Sequence, residues 1–177
     1  MKDADFDTLV QGATVVHSNG VDIADIGIQD GIITAIGPDL KNTAVTRIDA
    51  RGLIALPGGV DTHCHIEQVS GAGLLNADTF ETATRSAAMG GTTTVVSFAA
   101  QHPGNKIRDV VDAYATLARK GSLIDYAFHM IVAETAHGNL EDDIPALIAQ
   151  GHRSIKIFTT YDKVRQDDKS ILDILAV

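Results

Sequence analysis

From Leu56 to Val177 the chain repeats one pattern four times: a short apolar, β-branched run, then a longer stretch with helical periodicity. The pairs are VDTHCHI with ADTFETATRSAAMGG, TTTVVSFAA with IRDVVDAYATLARKG, DYAFHMIVA with LEDDIPALIAQG, and SIKIFTTY with KSILDILAV. Such alternation means parallel strands, because a strand can be followed by a parallel neighbour only through a long crossover, usually a helix. Asp78 or Thr79 stands where the first helix needs an N-cap, and Gly90-Gly91 where it needs a stop. The first strand-to-helix loop has no GxGxxG or GxxxxGK[ST] cradle for phosphates, and polar residues crowd the C-terminal ends of several strands. Those features disfavour a doubly wound sheet. They favour an α/β fold of the (β/α)8 TIM-barrel type, with chemistry at the C-terminal strand ends and about the first four β/α units present. KSILDILAV stops inside a helical pattern with no glycine or proline after it, so the expectation is a truncated chain holding the first half of a barrel.

Before Leu56 the rhythm differs. TLVQGATVV, VDIADIGI and IITAIG are short and β-branched, separated by SNG and QDG. They read as a β-meander, with Asn19-Gly20 and Asp30-Gly31 as the hairpin turns, since these dipeptides tolerate positive φ. The expected organisation is the N-terminal part of a small β-sandwich-like domain over residues 1–55, then the barrel segment over 56–177.

Composition narrows the class. The chain has 177 residues, 45% of them hydrophobic, enough for a substantial core. Its 23 acidic residues against 14 basic ones give a net charge of −9, and no Lys/Arg stripe forms, which argues against nucleic acid or an anionic membrane as partner. Cys64 is the single cysteine, which excludes an internal disulfide and suits a reducing cytosol. The acidic start MKDADFDTLV is unlike a signal peptide, and no apolar run reaches the roughly 20 residues of a membrane span. A cytoplasmic protein is expected.

The chemistry concentrates in LPGGVDTHCHIE. On a strand His63 and His65 share one face, Cα atoms about 7 Å apart, while Cys64 points the other way. Two imidazoles can then converge on one metal ion, with Cys64 as a small apolar filler. Asp61 lies on the same face one layer deeper, where it can orient a ligand histidine. The competing reading is two ordinary polar residues at a strand end. In SIKIFTTY the alternation places Ser154, Lys156 and Phe158 on one side and Ile155 and Ile157 on the other. Lys156 then enters a barrel interior, where desolvation favours a neutral amine able to add carbon dioxide and form a carbamate. The competing reading is a lysine that snorkels to the barrel mouth or pairs with an acid.

LPGGVDTHCHIE, DTFETATRSAAMGGTTTVVSFA, DYAFHMIV and GHRSIKIFTTYD, in this order and spacing, resemble the N-terminal portion of the hydantoinase and dihydropyrimidinase family of cyclic amidohydrolases. The resemblance covers essentially the whole chain. It implies that His63 and His65 ligate the more buried of two Zn2+ ions, that Lys156 is carboxylated and bridges the pair, and that Tyr161 hydrogen-bonds the substrate and the developing oxyanion. Two further histidines and an aspartate that the family requires would lie beyond Val177. The implied reaction opens a hydantoin or dihydropyrimidine ring to an N-carbamoyl amino acid, in a homotetramer. Glu67, two residues after His65, matches the hydantoinase type, where dihydroorotases carry arginine and allantoinases asparagine. Gln68 departs from the family, which commonly has methionine there. Phe158 is a candidate apolar wall for substrate, or simple barrel packing. His102 reads as an exposed loop histidine, and His17, His129, His137 and His152 as structural or solvent-facing. Arg108, Asp109 and Asp112 read as the solvated face of a helix. Two alternatives remain: an allantoinase- or dihydroorotase-like enzyme, and a non-catalytic relative that keeps the fold as a scaffold.

Overall fold

The computed structural model describes residues 4–41, 43–135 and 140–177, and the chain divides into two compact units, Met1–Pro57 and Gly58–Val177. His137 lies outside the described residues. Among the described residues no helix is long and apolar enough to cross a membrane.

The first unit is one five-stranded sheet of β1 (Phe6–His17), β2 (Gly20–Gln29), β3 (Ile32–Gly37), β4 (Ala44–Asp49) and the short β5 (Ile54–Ala55). β1 and β2 are antiparallel down to the pair His17–Gly20, so the turn is Ser18-Asn19, one residue before the dipeptide expected from sequence. β2 and β3 close at Gln29–Ile32 around Asp30-Gly31, both at positive φ (51° and 74°), as a two-residue hairpin turn requires. The meander ends there. β4 and β5 return parallel to β1, which makes the sheet mixed, in the order β3-β2-β1-β4 with β5 also on β1. The buried carboxylate of Asp25 holds this crossover, accepting the backbone N–H of Gly12 (2.8 Å) and of Leu40 (2.9 Å). Asp5 then takes the Thr43 N–H at 2.8 Å, just before β4 begins. Ala13, Val15, Ala24 and Ala50 form the buried cluster of this unit. A second sheet, as a sandwich demands, does not form among its described residues.

The second unit alternates as its sequence predicts: β6 (Gly59–Cys64), α1 (Phe80–Met89), β7 (Thr92–Ala100), α2 (Ile107–Gly121), β8 (Asp125–Ile131), α3 (Leu140–Ala149), β9 (Ser154–Lys156) and α4 (Asp168–Ala176). The four strands are all parallel in the order β6-β7-β8-β9. This order never reverses, so the sheet has no switch point of the doubly wound kind. α1 starts on a capping box: Thr79 Oγ1 accepts the Thr82 N–H, and Thr82 Oγ1 accepts the Thr79 N–H. Gly90 caps its end. Gly58 must be glycine, since a Cβ there would fall 2.0 Å from Thr93 Oγ1 on the adjoining strand. Between sheet and helices lie Phe80, Ile107, Val111, Phe128, Met130, Ile144 and Leu147, all buried. Burying a side chain of this kind contributes about 1.5–3 kcal/mol, which is why the apolar stripes of the helices fix this layer.

One strand is shorter than expected. SIKIFTTY leaves the ladder after Lys156, and Phe158 keeps only an isolated bridge to Arg165. The chain turns instead, with Arg165 N–H on the Tyr161 carbonyl at 2.7 Å and Gln166 N–H on the Phe158 carbonyl at 2.8 Å. Gln166 is buried and donates through Nε2 to the Ala133 carbonyl at 2.6 Å, so this turn is tied to the end of β8.

Candidate functional site

Strand register assembles the site. Phe98 on β7, His129 on β8 and Ser154 on β9 are successive Cα partners, which aligns their side chains in one layer across the sheet. Phe98, 3% exposed, is the hub. His65 stacks on its ring at 4.5 Å and 18°, His63 meets it edge-on at 4.8 Å, and His129 lies 4.9 Å away. Lys156 Nζ sits 4.2 Å from the same ring centroid and 5.1 Å from that of Phe158. The three residues expected to hold metal are therefore gathered around one aromatic ring.

His63 and His65 lie with ring centroids 5.4 Å apart. Two imidazoles sharing one tetrahedral ion at about 2.1 Å would place their centroids about 5 Å apart, so the pair fits a shared cation. Among the described residues no group of three or more His, Cys, Asp or Glu side chains converges. Lys156 is a further candidate donor, since it shares the Phe98 ring with the two imidazoles. Cys64 does not serve. Its side chain packs against the core, and burial, followed by the nearby charge of Asp61, pushes its thiol above the ordinary range.

The supporting contacts differ in part from expectation. Asp61 does not reach an imidazole; its Oδ1 accepts the His63 backbone N–H at 3.0 Å, holding the strand end rather than the ring. His129 spans the sheet: Nε2 meets the Thr62 carbonyl at 2.9 Å and Nδ1 meets Ser154 Oγ at 2.5 Å. The Thr62 carbonyl is open to this bond because the β6–β7 register shifts between Asp61 and Cys64. His65 Nδ1 lies 2.5 Å from Gln68 Oε1. Glu67 sends its carboxylate to the Phe80 N–H at 2.9 Å, at the start of α1.

A mainly apolar cavity of about 490 Å³ is lined by Gln68, Val69, His102, Phe158, Tyr161 and Val164 among others, and it joins the histidine cluster through Gln68, which touches His65, and Phe158, which lies against Lys156. Tyr161 is exposed, with its ring 5.4 Å from Phe158 in an edge-to-face pair. Its hydroxyl and the apolar face of Phe158 thus border one space. His102 is more than a solvated loop residue, because its Nε2 reaches the Val69 carbonyl at 3.1 Å and fastens the 68–76 loop to the end of β7. His17 pairs with Asp22 in the first hairpin, and His152 packs 6.0 Å from Phe128. Arg108 pairs with Asp143 at 3.1 Å, so it links α2 to α3 instead of only facing solvent.

Sequence reasoning missed Phe98, the positioning of His129 and the Gln68 contact. An aromatic near the C-terminal end of a strand beside the His-x-His strand was the available signal for Phe98. The other two depend on long-range register and on a turn, neither of which periodicity reveals.

No family model matches the chain. It is 39% identical over 170 residues to a D-hydantoinase of Ralstonia pickettii, covering 96% of this chain and 36% of that protein. With a D-hydantoinase of Streptomyces coelicolor it shares 41% identity over 171 residues, covering 93% and 36%. A solved D-hydantoinase (dihydropyrimidinase) from Thermus sp. superposes with a TM-score of 0.88 at 30% identity, covering 95% of this chain and 37% of that one. The chain thus spans about 36% of the length of the curated relatives it matches. Over that span the chain is similar in sequence and in fold to hydantoinase-type proteins.

Proposed function

We propose that this chain takes part in the metal-dependent hydrolysis of a cyclic amide, opening a hydantoin or dihydropyrimidine ring to an N-carbamoyl amino acid. The supporting observation is the gathering of His63, His65 and Lys156 around Phe98, with Lys156 also against Phe158, which borders a cavity together with Tyr161. In this reading the four β/α units belong to a (β/α)8 barrel, whose active site lies at the C-terminal strand ends where these residues stand. The protein is cytoplasmic and works as a homotetramer. The names of the relatives, hydantoinase and dihydropyrimidinase, support the substrate class.

His63 and His65 would hold one Zn2+ through imidazole nitrogen, and Lys156, carboxylated by carbon dioxide with loss of a proton, would bridge to a second. When bound, the pair supplies an activated hydroxide near neutral pH and polarises the amide carbonyl. The remaining work falls to the chain's own groups. Tyr161 donates its phenolic hydrogen to the carbonyl oxygen, a bond that strengthens as negative charge develops there. Phe158 gives the ring substituent an apolar wall and keeps water from that side. Asp61 keeps the end of β6 in place through the His63 N–H.

Metal content and intact mass test this reading. Native mass spectrometry of the intact protein is expected to show two zinc ions and the added mass of one carbon dioxide, and Lys156→Ala is expected to lose that mass and most of the zinc. Unchanged zinc in Lys156→Ala would remove the bridging role.

A further inference from the structure

We infer that Gln68 is a positioning residue for His65, selecting the tautomer whose Nε2 carries the lone pair and faces the metal. The inference rests on the metal reading above. A neutral imidazole has one N–H and one lone pair, and an amide oxygen can only accept. The 2.5 Å contact between His65 Nδ1 and Gln68 Oε1 therefore calls for the proton on Nδ1. Nε2 is then the donor nitrogen. Fixing the outer nitrogen of a ligand imidazole with a carbonyl acceptor sets both ring orientation and ligand basicity.

The placement of Gln68 is built rather than incidental. Ile66 is buried and its N–H donates to Ser97 Oγ on β7 at 3.3 Å. Glu67 next to it adopts a left-handed φ of 47°, unusual for a residue with a Cβ, and this bend redirects the chain just before Gln68. Both ends of Glu67 are fastened: its N–H donates to the Asp78 carbonyl at 3.3 Å, and its carboxylate accepts the Phe80 N–H at 2.9 Å. The Gln68 carbonyl accepts the Asn76 N–H at 3.0 Å. Meanwhile the flat face of His65 is stacked on Phe98, which settles the plane of the ring. The stack settles the plane and Gln68 settles which edge carries the proton. Among the described residues the His63 ring has no such side-chain acceptor; its support from Asp61 reaches only the backbone.

Two variants test this. Gln68→Met keeps length and bulk but replaces the amide acceptor with a weakly accepting thioether, while Gln68→Glu restores an acceptor at the same reach. Zinc affinity of the full chain, measured by chelator competition, is expected to fall tenfold to a hundredfold in Gln68→Met, and to stay near the wild-type value in Gln68→Glu. Circular dichroism checks that both variants fold. In the metal-free protein, long-range 1H–15N NMR of His65 is expected to show a protonated Nδ1, with that signature weakened in Gln68→Met. A proton on Nε2 in the metal-free wild type would overturn the inference. So would wild-type zinc affinity in Gln68→Met while His65→Ala loses zinc. Zinc retained by His65→Ala would overturn the metal reading itself, and the NMR signature would still report on the Gln68 contact separately.

Discussion

Replacing Phe98 with leucine would separate the two roles of that ring. Phe98 is buried in the core cluster and at the same time carries His63, His65, His129 and Lys156 on its surface. Leucine preserves much of the apolar burial but has no π face. Aromatic pairs contribute about 0.5–1.5 kcal/mol beyond their buried area, and a cation on a ring about 0.5–2 kcal/mol. Because the four partners share one ring, these contributions overlap and do not sum. The expected loss for Phe98→Leu is about 2 kcal/mol, and for Phe98→Ala about 4 kcal/mol, since alanine also leaves a cavity. Urea unfolding followed by circular dichroism measures both, with the midpoint falling and the slope unchanged. On the proposed metal reading, zinc affinity should fall in Phe98→Leu as well, because the imidazoles of His63 and His65 lose the surface that orients them. A leucine variant less than about 0.5 kcal/mol below wild type, with normal zinc affinity, would refute the hub.

Tyr161→Phe is expected to lower turnover far more than metal content, measured by steady-state kinetics beside elemental analysis; equal loss of both would make the tyrosine structural. Asp49 should titrate at about 2, held down mainly by the bidentate Arg51 side chain (2.8 and 2.5 Å) and next by the Arg51 backbone N–H. A depressed carboxylate adds stability above its unfolded value of about 3.9, and that stability is lost as pH falls through the folded value. Arg51→Met should therefore raise the Asp49 midpoint part of the way, because the backbone bond remains, and an NMR titration that stays near 2 would show the side chain to be irrelevant.

Which parts of this protein were legible in one dimension follows from the range of the interactions. Helix and strand identity is local: Thr79 caps α1, Gly90 ends it, and the four β/α pairs fall where the periodicity put them. The expected shared face of His63 and His65 rests on the two-residue period of a strand; β6 ends at Cys64, and the two ring centroids lie 5.4 Å apart. The β-meander fails at β4 because a buried carboxylate, Asp25, binds backbone from two distant segments, and no local pattern encodes that pairing. SIKIFTTY looks like one strand, yet its second half turns away because Gln166 and Arg165 satisfy backbone groups that a ladder would otherwise use.

The amino-acid sequence by itself determined the alternation, the helix ends and the supply of ligand-type side chains on one strand face, since each depends on neighbours within a few residues. Only the tertiary structure decided that Phe98 sits under both histidines, that His129 bridges to Thr62, and that the left-handed bend at Glu67 carries Gln68 to the edge of His65. Those outcomes depend on the register between parallel strands joined by long crossovers. Shifting a strand by one residue would turn every one of these side chains to the opposite face, and it is the packing of the whole sheet against its helices that prevents the slip.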